Sequence, residues 1–362
     1  MERSLLERVR CPACGTRRWR IDRPETANVR YASGPVEEIA RADVACDCGR
    51  VYPVRDYVLS LAQVFREELQ REAAFWDRFY VWNIDHGADG FHDLKRGFAP
   101  YVAQGVAERF PFADTIERYD AHNLVARHPI FRAGKRLLDV GVGPGWTSIH
   151  FAREGYEVTA FDPSFGPLVA AKKYAIEQGL HVEYLCAAVG YVDFEDGVFD
   201  NVAAFHSLHH VPDVRTALNQ MSRWLRPGGG LGIDEHIANS ALARALGAEL
   251  HRWAAENVFP RYRSISDAEL AGLPSEPHSA MEDAGADQIV PLVRAMFDVA
   301  YEKQRHVVLD HYPLLYYLSK GKNPDSYVHA LEIANHIQEL LRLADPDGGE
   351  YVTIVASNRP RQ

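Results

Sequence analysis

The sequence predicts an α/β protein whose central parallel sheet is covered by helices on both faces, and three observations predict it. Between Arg136 and Glu235, apolar strand-like runs alternate with helical patterns, the order that yields parallel strands joined by crossover helices. The first run, Leu137-Leu138-Asp139-Val140, leads into Gly141-Val-Gly143-Pro-Gly145, where glycines let the backbone turn tightly and approach a ligand closely. The next apolar run ends in Asp162, the place where nucleotide-binding sheets put an acid that accepts ribose hydroxyls.

Taken in order, strands are expected at Arg136–Val140, Glu157–Phe161, Val182–Cys186, Asp200–Phe205 and Gly230–Glu235. Helices are expected at Trp146–Glu154, Gly166–Gln178 and Val214–Leu225. Together with their flanks these form a core over residues 133–237. Cys186, alone in an apolar strand, reads as a small core residue. Ahead of the core, residues 59–132 carry apolar side chains at helical spacing (Val64, Leu69, Phe75, Trp76, Phe79, Tyr80) and read as a helical connector. Behind it, residues 238–350 read as a helical cap governing acceptor choice, with a strand expected near His306–Leu309. Within the cap, Tyr312, Leu314, Leu315, Tyr316 and Tyr317 read either as a buried helix or as the floor of an acceptor pocket. A last strand, Tyr351–Ser357, opens the tail 351–362.

Residues 1–58 have a different logic. Four of the five cysteines fall here, as Cys11-Pro-Ala-Cys14 and Cys46-Asp-Cys48, each pair followed by glycine. In a reducing compartment a close set of four reads as metal ligands before disulfides. Four thiolates on structural Zn²⁺ let a small segment fold with little core of its own, and leave no open position for catalysis. The tight second pair leaves open the alternative of four reduced cysteines that bind nothing. The ribbon and the sheet are expected to have separate cores.

Composition bounds the rest. Apolar residues make up 47% and charged residues 25% of the 362-residue chain, as in globular proteins with an ample core. No apolar run approaches the ~18 residues of a membrane span, and a cytoplasmic location is expected. The net charge of −10 disfavours a broad nucleic-acid footprint, which needs clustered Lys and Arg. Arg17, Arg18 and Arg20 are a local exception.

The glycine motif also says which nucleotide. A dehydrogenase fingerprint needs a third glycine where Trp146 stands, and Asp139 two residues before the first glycine is poorly suited to a dianionic pyrophosphate. It suits a cationic ligand. Here the chain resembles the class I S-adenosylmethionine-dependent methyltransferases, on Asp139-x-Gly141-x-Gly143-x-Gly145, the later Phe161-Asp-Pro-Ser164, Leu208-His-His-Val-Pro-Asp213 and Leu225-Arg-Pro-Gly-Gly229. The resemblance implies a Rossmann-like, seven-stranded sheet and S-adenosylmethionine as cofactor. It implies that Gly141, Gly143 and Gly145 approach the methionine and ribose portions, that Asp139 faces the amino-acid end, and that Asp162 accepts the ribose hydroxyls. Where many relatives place an aspartate for the adenine, this chain has Ala188, so the base is expected to meet backbone of Ala188 and Val189 and apolar packing, with Phe205 nearby. Cys46-Asp-Cys48-Gly-Arg-Val-Tyr-Pro-Val-Arg-Asp56 likewise resembles the second half of Trm112-like zinc ribbons.

Strand carboxyl ends line the cleft of such sheets, so His206, Glu235 and His236 are the candidates near the transferred methyl. His206 and His236 are suited to accept a proton near neutral pH. His210, the second histidine of the LHH run, is expected to hold the loop. Three histidines within five residues also admit a metal, a reading disfavoured beside a cationic sulfonium. The expected activity is methylation, at oxygen, of a small or carrier-bound acceptor. An RNA methyltransferase with a zinc recognition module and a non-catalytic interaction protein on the same scaffold remain as alternatives.

Overall fold

The structure, a computed structural model, describes residues 1–85, 114–237, 242, 245, 281, 284–306, 336–346 and 348–359. Numbered along the chain, the strands are β1 (Val9–Arg10), β2 (Trp19–Tyr31), β3 (Gly34–Cys46), β4 (Val51–Arg55), β5 (Val58–Ser60), β6 (Arg136–Val140) and β7 (Glu157–Asp162). They continue as β8 (Val182–Cys186), β9 (Asp193–Phe194), β10 (Phe199–Phe205), β11 (Leu225–His236), β12 (Phe297–Arg305) and β13 (Tyr351–Asn358).

Strands covered on both faces read as unbroken apolar runs rather than alternating ones, and β8, buried at every residue, is such a strand. The helices that cover them are amphipathic. In Val214–Trp224 the buried residues Val214, Ala217, Leu218, Met221 and Trp224 recur at three and four, the spacing of one helical face. Asp213 caps that helix by accepting from Thr216 N at 2.9 Å.

The main sheet runs β12-β13-β11-β10-β6-β7-β8-β5-β4-β3-β2. From β11 to β5 neighbouring strands are parallel, while β12 and β13 are antiparallel. The chain builds β6, β7 and β8 outward in one direction and then returns to place β10 and β11 on the other side of β6. Ligands bind outside the carboxyl ends at such a reversal.

Seven strands were expected and the sheet has eleven. The difference lies in the amino-terminal segment. Its strands pair onto the core at β5–β8, through Leu59↔Leu185 and Ser60↔Cys186, so the edge of β8 is covered rather than exposed. Nor is its core separate. Leu5, Val9, Val44, Tyr52 and Val54 share one buried cluster with Phe161, Phe194 and Trp224. Buried Lys172, on the helix Phe165–Glu177, donates to Glu38 of β3 at 2.9 Å, and Tyr31 donates to the same carboxylate.

No strand is seen at His306, the one described residue of the expected strand His306–Leu309; the observed strand, β12, ends just before it at Arg305, and positions 307–309 lie outside the described residues. β12 is a sheet-edge strand with an exposed face, so its polar sequence hides it, whereas the apolar run after it attracts attention. The tyrosine cluster 312–317 and most of the cap also lie outside the described residues.

Candidate active site

The loop after β6 is shaped by glycine. Gly141, at φ +69°, stands so close to Ser207 that an added Cβ would lie 2.2 Å from the Ser207 Cβ. Gly145, at φ +89°, starts the helix Trp146–Arg153, and a Cβ there would lie 2.6 Å from that of Ala171. Gly145 therefore serves packing between helices as much as access for a ligand.

Two carboxylates sit under this loop. Asp162 accepts from Gly143 N at 2.9 Å and from Ser164 N at 2.8 Å, and it lines the cleft. Burial pushes its pKa up to about 6 despite these bonds. Asp139 is buried behind the loop, accepting from Thr147 Oγ1 at 2.6 Å. Its Oδ1 has no partner among the described residues, and burial raises its pKa to about 7. An orphaned buried acceptor and a cleft-facing carboxylate are the donor-seeking features that a cationic, hydroxyl-bearing cofactor would satisfy.

The opposite wall comes from the ends of β10 and β11. His206, Ser207, His209, His210 and His236 line the cleft, with Tyr351 of β13 beside them. Glu235, expected at the reacting methyl, is not among the lining residues. It is fully buried, accepts from Ser207 N at 2.8 Å and Leu208 N at 2.7 Å, and meets His209 Nδ1 at 2.7 Å. A carboxylate with all these partners shapes the loop after β10. His209, through this bond to Glu235, therefore holds the loop. His210 packs toward the helix Glu67–Asp85, its ring 5.2 Å from that of Trp76. Phe205, expected beside the cofactor, instead stacks on His122 at 4.7 Å in the core, because strand residues alternate in direction and its neighbour His206 takes the cleft. Ala188 and Val189 do line the cleft.

The cleft, about 1130 Å³, is roofed by the helix Glu67–Asp85 through Glu72, Phe75, Trp76, Phe79 and Tyr80. Asp77 pins that helix by accepting from Gly166 N at 2.7 Å. These residues carried a sequence signal, aromatics at helical spacing, but nothing in the sequence aimed them at the glycine loop. Asp234 and Arg305, which stand behind His206, carried none. Acids predominate, with Glu68, Glu72, Asp162 and Asp213 around the cleft and Arg66 the only Lys or Arg among its described lining residues.

The four amino-terminal cysteines converge far along the sheet. Cys11 and Cys48 sulfurs lie 3.8 Å apart and those of Cys14 and Cys46 3.5 Å apart, and all four fall within 4.8 Å of one another. Four sulfurs at roughly 2.3 Å from a common zinc stand about 3.8 Å apart, so the set fits a tetrahedral ion. Gly15 N and Gly49 N each donate back to the first cysteine of their pair at 2.8 Å, which curls both turns around that centre.

Residues 138–233, which hold the glycine loop and most of the cleft wall, match the family described as "Methyltransferase domain". Among curated proteins the chain is similar to a ubiquinone biosynthesis O-methyltransferase of Escherichia coli, 35% identical over 143 residues, covering 38% of this chain and 60% of that protein. It is likewise similar to the protein of the same name from Erwinia tasmaniensis, 35% identical over 128 residues, covering 34% of this chain and 53% of the relative. The chain thus spans a little over half the length of the curated relatives it matches. A phosphoethanolamine N-methyltransferase of Haemonchus contortus, solved with S-adenosyl-L-methionine, is 20% identical, with 63% of this chain and 49% of that one covered at a TM-score of 0.38, a likeness too loose to bear on function. Among the described residues no helix is long and apolar enough to cross a membrane.

Proposed function

We propose that the protein is an S-adenosylmethionine-dependent O-methyltransferase acting on a small or carrier-bound hydroxyl compound, with a structural zinc ribbon at residues 1–58. The observation that carries this reading is the meeting, in one cleft, of the Gly141 loop, the Asp162 carboxylate and a histidine-rich strand end, within the segment that matches a methyltransferase domain. In this reading Asp162 accepts the ribose hydroxyls, Gly141 and Gly143 bring backbone against the cofactor, and Ala188 and Val189 flank its base. The bound sulfonium supplies an activated methyl group, so the chain's own task is to orient the acceptor, exclude water and take up a proton. The name shared by the two curated relatives supports oxygen as the nucleophile.

The reading is tested by calorimetric titration with S-adenosylmethionine, followed by assay of S-adenosylhomocysteine release with catechol as probe acceptor. Saturable binding and catechol-dependent release are expected. Absence of any binding heat across several temperatures would refute it.

A further inference from the structure

Strand residues two apart share a face, so His181, just before β8, and Glu183 within it stand on the same side. Glu2 of the amino-terminal segment meets them there, its backbone N donating to Glu183 Oε1 at 2.7 Å. Ser4 Oγ donates to Glu2 Oε2 at 2.9 Å, and Glu2 Oε1 lies 3.7 Å from His181 Nε2. Glu183 Oε1 and Glu38 Oε1 lie 3.6 Å and 3.7 Å from the same nitrogen. All three distances exceed the roughly 2.7–3.2 Å of an N–H···O hydrogen bond. His181 Nε2 is buried without a hydrogen-bond partner among the described residues, and so is Oε2 of Glu183, a residue only 2% exposed. A proton on Nε2 would draw one carboxylate into contact. Instead three oxygens stand at nearly equal distances around it.

Charge points the same way. Glu38 takes both nearby ammoniums, Met1 at 2.7 Å and Lys172 at 2.9 Å. Glu2 and Glu183 have no Lys, Arg or ammonium partner among the described residues, and face only the imidazole. Burial opposes ionisation of Glu183, but His181, the Met1 ammonium and Lys172 hold its pKa down at about 2, so it is anionic at neutral pH. Two carboxylates and an unpaired imidazole nitrogen thus converge with room for a cation between them.

We propose that Glu2, His181 and Glu183 bind a divalent first-row transition ion, Mn²⁺ or Zn²⁺ in kind, that fastens the amino-terminal segment to β8. Their ligand atoms all lie within 4.8 Å of one another. Nitrogen and carboxylate ligands at about 2.1 Å from a shared tetrahedral ion stand about 3.4 Å apart, so the observed 3.6 Å and 3.7 Å need only a small contraction. One imidazole with two carboxylates is a donor set for Mn²⁺ or Zn²⁺ rather than for a soft ion. Contacts behind the ligands orient them, as outer partners do in metal sites: Ser4 holds the far oxygen of Glu2, and the Tyr31 ring packs edge-on to His181 at 4.9 Å. Glu2 and His181 are each partly exposed, which lets water complete the coordination. None of the three residues lines the cleft, so the ion is structural, and the proposal rests neither on the methyltransferase reading nor on the cysteine set.

The test takes the full chain, treated with a mild chelator that strips weakly held ions and then freed of it, and titrates it with Mn²⁺, which competes poorly for thiolates. Loss of the free-ion EPR signal reads binding. The parent is expected to bind Mn²⁺ saturably, with one imidazole nitrogen coupled to the bound ion in pulsed EPR. His181→Gln should remove that coupling. His181→Gln and Glu2→Gln, both at partly exposed positions, should each weaken binding at least about tenfold, since even losing an outer partner of a ligand costs about 10–100-fold. Mn²⁺ should raise the melting temperature of the parent and leave that of His181→Gln unmoved. Absence of saturable binding at millimolar Mn²⁺, a bound ion without nitrogen coupling, or unchanged affinity in either variant would overturn the site.

Discussion

Asp162 is the residue on which the cofactor reading turns. It already accepts two backbone N–H groups, yet each carboxylate oxygen has a further lone pair for a ribose hydroxyl. Hydrogen bonds to a charged acceptor are worth about 1.5–3 kcal/mol each. Asp162→Ala is therefore expected to weaken S-adenosylmethionine binding at least about tenfold by calorimetry; an unchanged dissociation constant would place the ribose elsewhere. The same carboxyl sets a pH dependence. Burial lifts its pKa to about 6 in the ligand-free protein, and a ligand offering two hydroxyl donors favours the ionised form. Affinity should then be level above that value and fall as pH drops through it, by up to about tenfold per unit. A flat profile from pH 8 to 5 would contradict the assignment.

At the scale of elements, the two cysteine turns and the hairpin β2–β3 form one unit. One zinc per chain is expected by metal analysis after purification without chelator. Cys14→Ser, which removes one exposed thiol of the set, should release most of that metal. Because β4 and β5 link the ribbon to β8 without a break in the sheet, the same change should also lower the melting temperature of the whole domain. Two separate thermal transitions, with the second at the parent's temperature, would show the ribbon to be independent.

Over the whole molecule, the buried Lys172–Glu38 pair ties the hairpin to the core. Removing one partner of a buried pair typically costs about 3–5 kcal/mol, although here the buried Met1 ammonium, 2.7 Å from Glu38 Oε2, keeps part of the compensation. Lys172→Met should destabilise the protein by that order in urea unfolding, in a single transition, while Glu38→Gln combined with Lys172→Met should recover part of the loss. If Lys172→Met unfolds like the parent, the pair is not what joins the two parts.

Much of the sheet was legible in the chain itself. The strands β6, β7, β8 and β10 are continuous apolar runs because both faces are covered, and the glycines between β6 and its helix have spacing that composition alone does not produce. Asp162 was visible for the same reason, as the acid that closes such a run. Local pattern could not reveal contacts made between distant segments. Glu235 and His236 are adjacent in sequence, but only the pleat of β11 sends one carboxylate into the loop after β10 and the neighbouring imidazole into the cleft. Phe205 and His206 are separated in the same way at the end of β10. β12 hid behind polar residues because an edge strand need bury only part of its surface, so Arg305 gave no sign of reaching Asp234. The spacing of the four cysteines pointed to a candidate metal site; that their segment extends the sheet and shares its core depends on strand pairing and on buried charges 134 residues apart, which no periodicity records.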